Sequence, residues 1–103
     1  MDERIEILKT KIVEFAHPDK IILFGSHAQG TASADSDVDL LVIGPSDVPR
    51  GEREVRLRVA LFGSDLPYDL IALTSAEVEA RQRIKGPFIA EILSNGKIIC
   101  ERQ

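Results

Sequence analysis

Three carboxylates and a glycine-serine pair are the residues of this sequence whose types and spacing could do chemistry. Asp37 and Asp39 flank one valine, Asp69 stands in a later Tyr68-Asp69-Leu70 run, and Gly25-Ser26 precedes Asp37 by ten intervening residues. Side chains alternate along an extended strand, so Asp37 and Asp39 share a face roughly 6–7 Å apart, a span one divalent ion can bridge. A third carboxylate joins them if the strand bearing Asp69 lies alongside. Carboxylates gathered at a core edge repel one another, and a hard cation relieves the repulsion; magnesium is the economical choice for such oxygen donors. Ser26, at the start of a helical turn, offers a hydroxyl and free backbone N–H groups to phosphate oxygens, and Gly25 lets a phosphate approach the backbone closely. A phosphate seat facing a metal cluster is what phosphoryl or nucleotidyl transfer needs: neutralised charge, an aligned leaving group and an activated hydroxyl.

These groups require elements to hold them. Ile5, Leu8, Ile12 and Phe15 recur at helical steps and predict an amphipathic helix from Glu3 to Ala16, ended by His17-Pro18. Lys20 to Phe24 reads as a strand, followed by a tight turn and one short helical turn between Gly25 and Gly30. After a polar loop to Ser36, the stretch Asp37 to Ile43 is a strand with apolar residues on both faces, closed by Gly44-Pro45. Val55, Val59 and Phe62 predict a helix over Glu52 to Phe62, and Tyr68 to Leu73 is the third strand. Thr74 with Glu77 has the form of a capping box opening a helix to about Lys85. Gly86-Pro87 interrupts, a further helix runs through Leu93, and Asn95-Gly96 stops it before a last strand, Lys97 to Cys100. The expected fold is α/β of the α+β two-layer kind: a small mixed sheet with helices packed on one side and the metal site at the exposed end of two neighbouring strands.

Length and composition bound the alternatives. At 103 residues, 44% hydrophobic and 29% charged, residues 1–103 make one domain with one core. No apolar run approaches the ~18–20 residues that span a bilayer, and the Met1-Asp2-Glu3-Arg4 start lacks the basic and apolar regions of a signal peptide. A single cysteine, Cys100, in an apolar run acts as a small core residue, so a cytoplasmic location is expected. A net charge of −4 argues against a broad basic face for nucleic acid.

Other conspicuous residues have plainer roles. Asp35 continues the two-residue step but lies in the polar loop. His27 could contact phosphate or serve structure, while His17 suits a helix end. Tyr68 points away from Asp69; the Arg53, Arg56, Arg58 set reads as a solvated helix face, with a phosphate- or partner-binding role the alternative; Phe88, Ile89, Ile92 and Leu93 read as a core stripe, part of which could face a partner helix.

The run Leu23-Phe24-Gly25-Ser26-His27-Ala28-Gln29-Gly30-Thr31, followed by Asp35-Ser36-Asp37-Val38-Asp39-Leu40 and by Asp69 on a later strand, resembles the nucleotidyltransferase superfamily typified by DNA polymerase beta. Within it the minimal, MNT-type branch is the closer match, and the element order covers essentially the whole chain. The resemblance implies a polymerase beta-like nucleotidyltransferase fold in which Gly25 and Ser26 hold the triphosphate of ATP. Asp37 and Asp39 would bind one or two magnesium ions, with Asp69 completing the metal site and helping to deprotonate the attacking hydroxyl. It further implies transfer of AMP to a hydroxyl on a partner protein, an all-helical HEPN-type toxin for which this chain would be the antitoxin; the length leaves no room for an added acceptor domain. The family commonly has arginine where this chain has His27, and often another basic residue at Gln29. Two other readings follow from the same likeness: a non-catalytic antitoxin that neutralises a HEPN toxin by binding, and an aminoglycoside-like small-molecule nucleotidyltransferase.

Overall fold

In the computed structural model, which describes residues 2–33, 35–84 and 87–102, Asp2 starts helix α1 (Glu3–Ala16) by accepting the Arg4 N–H at 2.7 Å. Ile5, Leu8 and Ile12 form its buried stripe. Phe15, expected on that stripe, is instead half exposed, because it rims a hollow shared with Pro18, Pro45 and Arg56 beyond the end of the sheet. His17 ends the helix in the left-handed conformation, its N–H returning to the Val13 carbonyl. The remaining elements are β1 (Lys20–Phe24), α2 (Ser26–Gln29), β2 (Val38–Ile43), α3 (Arg50–Ala60), β3 (Tyr68–Leu73), α4 (Ser75–Arg83), α5 (Pro87–Asn95) and β4 (Lys97–Glu101). Their order is the expected one. Lys85 and Gly86, where the sequence predicts the end of α4 and a break, lie outside the described residues.

The four strands form one mixed sheet in the order β3-β2-β1-β4. β1 runs antiparallel to both β2 and β4, whereas β2 and β3 are parallel and need a crossover, which α3 supplies. Alternation along the strands sorts their apolar side chains into two cores. Ile21, Leu23, Val38, Leu40 and Val42 meet Leu8 and Ile12 of α1 and Leu57 of α3. On the other side, Ile22, Leu41, Ile43 and Leu73 meet Val78 of α4 and Ile89 and Ile92 of α5. Helices therefore cover both faces, which corrects the expected one-sided arrangement; the strands' two apolar faces demand the second layer. Among the described residues, no helix is long and apolar enough to cross a membrane. Cys100 is half-buried and packs against the first core.

Helix α3 departs most from expectation. Its buried residue is Leu57, while Val55, Val59 and Phe62, the periodicity that predicted it, face outward. Arg53 is not a solvated side chain either. Its Nη1 donates to the Ala72 carbonyl at 2.8 Å and to Glu77 at 2.7 Å, and its Nη2 donates to the Val48 carbonyl at 2.9 Å. Glu54 accepts the Ala72 N–H at 3.0 Å, so two side chains of α3 satisfy the open edge of β3. Arg53 also holds the Glu77 carboxyl below the usual range, aided by the Thr74 N–H of the capping box that opens α4. We expect Arg53→Met to cost about 2–3 kcal/mol of stability by stranding these acceptors. Urea unfolding would read it as a lower midpoint with unchanged slope.

Candidate active site

The end of β1 and the starts of β2 and β3 come together at one end of the sheet. Asp39 lies opposite Phe24 across the antiparallel pair and opposite Asp69 across the parallel pair. Gly25 follows Phe24 with φ 74° and ψ −154°, a backbone region open in practice to glycine alone. A Cβ there would overlap Asp39 Oδ2 and stand 3.2 Å from Asp39 Cγ. The missing side chain is therefore the space the Asp39 carboxylate occupies. Asp37 precedes β2 and is exposed, Asp39 is half-buried, and Asp69 is 65% exposed.

The chain leaves α2 with Ser26 uncommitted: its carbonyl accepts from Thr31, but its hydroxyl takes no partner among the described residues. His27 Nε2 lies 3.1 Å from the Ser36 carbonyl and ties the turn to the loop that delivers Asp37. That structural tie occupies the position at which the sequence resemblance leads one to expect arginine. Asp35 is exposed in that loop, and Tyr68 packs against the first core, as expected of each.

Beside the carboxylates a cavity of about 660 Å³ opens, lined by Phe24, Gly25, Asp39, Asp69, Phe88 and Asn95 among others. This is a common size for a small-molecule pocket. Phe24 and Phe88 meet edge to face at 5.9 Å, forming an apolar wall. Phe88, read from sequence as core, thus belongs to the pocket; its place before Ile89 on the helical wheel gave no sign of it. Arg58, for which the sequence offers a solvated helix face first and a phosphate- or partner-binding role second, also neighbours the site. Its Nη2 reaches Asp69 Oδ1 at 3.3 Å, and the same oxygen accepts the Leu70 N–H at 3.0 Å, leaving Oδ2 open.

Burial raises the pKa of Asp39 above the ordinary carboxylate value, Asp69 and then Asp37 add to the rise, and His27 opposes it. The residues suit a hard cation, since the donors are all carboxylate oxygens and Asp39 ionises against its neighbours. Among the described residues no three His, Cys, Asp or Glu side chains already form a metal cage. Closing one requires side-chain rotation, for which exposed Asp37 and Asp69 have room. A carboxyl with a raised folded-state pKa favours the fold below its unfolded value and loses that contribution as pH rises through the folded value. In chelator, the native chain is therefore expected to lose melting temperature across that rise relative to Asp39→Asn. Parallel melting curves of the two proteins from pH 4 to 7 would show it.

Residues 4–100 match the model of the nucleotidyltransferase domain family. A candidate protein adenylyltransferase of Methanocaldococcus jannaschii is 32% identical over 90 residues, covering 87% of this chain and 81% of its own length. A candidate nucleotidyltransferase from Sulfolobus solfataricus superposes with a TM-score of 0.61 at 22% identity, over 96% of this chain and 84% of the other. A toxin-antitoxin crystal structure with AMP-PNP superposes with a TM-score of 0.59 at 24% identity, over 99% and 76%. The two structural likenesses show a shared fold.

Proposed function

The chain belongs to the nucleotidyltransferase domain family, a family of enzymes, and from that membership we propose that it transfers AMP from ATP to a hydroxyl on a partner protein. The observation that carries the reading is Asp39 set beside Asp69 in the strand register and against Gly25, at the mouth of a nucleotide-sized cavity. Asp37, Asp39 and Asp69 would hold magnesium. Bound there, one or two magnesium ions supply neutralisation of the triphosphate and a more acidic acceptor hydroxyl. Gly25 and Ser26 receive the phosphates through backbone N–H groups and the unengaged hydroxyl, and the Phe24-Phe88 wall borders the space for the base. The acceptor oxygen bonds to the α-phosphorus, the bond to the pyrophosphate oxygen breaks, and the hydroxyl proton passes to Asp69 Oδ2. Leu70 N–H and Arg58 keep the other oxygen of that carboxylate occupied and so orient it.

A toxin of the HEPN type is the acceptor we favour, with this chain as an MNT-type antitoxin in the cytoplasm. The M. jannaschii relative supports protein as the acceptor class, and the neighbour solved as a toxin-antitoxin with AMP-PNP supports the pairing. One observation favours a second reading, neutralisation of the toxin by binding alone: Arg58 already engages Asp69. ATP labelled on the α-phosphate, incubated with the native chain and magnesium in host lysate, separates the two. A labelled protein that disappears with chelator supports transfer. No label, with no ATP binding in a direct titration, overturns it in favour of occlusion.

A further inference from the structure

The molecule keeps an apolar surface that its own core does not use. Val55 is 59% exposed, Val59 70% and Phe62 87%, at steps of four and three residues along α3 and the turn after it. Scattered exposed apolar residues are ordinary, but three at helical spacing along one helix and its closing turn make a patch. The opposite side of α3 is already committed, with Leu57 in the core and Arg53 and Glu54 on the edge of β3. Charge on the helix is uneven in the same way. Arg50 pairs with Glu54 and Arg56 with Glu52, both within α3, while Arg53 is turned inward. Arg58 reaches from the helix toward the carboxylates, making one contact of 3.3 Å to Asp69 while remaining 45% exposed. It is next to Val59 in sequence and touches the candidate base of the reaction, so one side chain links the stripe's helix to the carboxylates.

We propose that Val55, Val59 and Phe62, with Arg58 at their edge, form the docking surface for the protein acceptor, which lays an amphipathic helix on the stripe and sets an acidic residue against Arg58. The assignment rests on the protein-transfer reading above. The apolar residues supply contact area, and the guanidinium fixes register, since its remaining donors are free among the described residues to take a partner carboxylate. Docking in this register brings a hydroxyl on the acceptor toward Asp69 Oδ2.

The labelled acceptor, purified in unlabelled form, is the probe. Val59→Glu and Phe62→Ser are compared with the native chain, each site being too exposed for the change to disturb the core. Each is expected to raise the KM for the acceptor about 30-fold, the loss typical of one interface anchor, with kcat kept within about two-fold. Affinity for ATP with magnesium, measured by titration, stays at the native value. An unchanged KM in both variants overturns the docking surface while leaving the transfer reading intact. So does sedimentation showing a native dimer that Phe62→Ser dissociates, since a second copy would then cover the stripe. A native chain that labels no protein and binds no ATP in the titration overturns the transfer reading, and the docking surface with it.

Discussion

Asp39→Asn is expected to lower nucleotide transfer on the order of a thousand-fold, equivalent to ~4 kcal/mol of transition-state stabilisation, with the chain still folded. The amide keeps the shape of the carboxylate and removes its charge. Asp39 is the half-buried member of the three carboxylates, so the exchange removes the charge set deepest among them, while the amide still fills the space left by Gly25. Since its ionisation opposes burial and the neighbouring Asp69 and Asp37, the folded chain loses nothing by the exchange in the absence of a cation. Loss of transfer with a melting temperature at or above the native one is therefore the expected pair of results. A variant that still transfers AMP at the native rate overturns the proposed place of Asp39 among the metal ligands.

Gly25→Ala is expected to combine both kinds of damage. The backbone at φ 74° and ψ −154° is strained for any residue with a Cβ, at about 1–3 kcal/mol. Beyond that strain, the new methyl falls on Asp39 Oδ2. Either the carboxylate swings out of its place beside Asp69 or the turn into α2 moves, and the phosphate seat moves with it. We expect transfer to fall at least about a hundred-fold together with a measurable loss of stability. Denaturant unfolding and the label-transfer assay on the same preparation distinguish this from Asp39→Asn, which lowers transfer alone. Native activity in Gly25→Ala would show that neither the glycine nor the position of Asp39 against it matters.

Where β1, β3 and β4 begin and which helices separate the strands could be read from local patterns, whereas β2 begins at Val38 and leaves Asp37, expected as its first residue, in the loop before it. Lys20–Phe24 and Tyr68–Leu73 are bounded by proline, glycine and polar residues, and the Thr74-Glu77 capping box marks the start of α4. The adjacency of Asp39 and Asp69 also followed, because a strand apolar on both faces belongs inside a sheet and its sequence neighbours fall beside it. Facing direction was harder to read. On α3, valine and phenylalanine imitate a core stripe while arginine and glutamate take the inward positions, for the reason that an edge strand needs polar partners as much as a core needs apolar ones. No periodicity rule encodes that exchange. Phe88 escaped for a related reason: a pocket wall and a core wall use the same residue types, and only the neighbouring carboxylates tell them apart.

Strand β1 lies inside the sheet, yet one of its two neighbours is the last element of the chain. A ribosome delivers Lys20–Phe24 well before Lys97–Glu101, so until β4 emerges β1 keeps one row of backbone donors and acceptors unpaired. The hairpin-like pairing with β2 can form at once, but the sheet closes only after α4 and α5 have emerged. Closure across so long a separation is slow, and the open row meanwhile offers itself to other nascent chains. For this fold the vulnerable interval is therefore its birth, when a strand that ends inside the sheet is still an open edge.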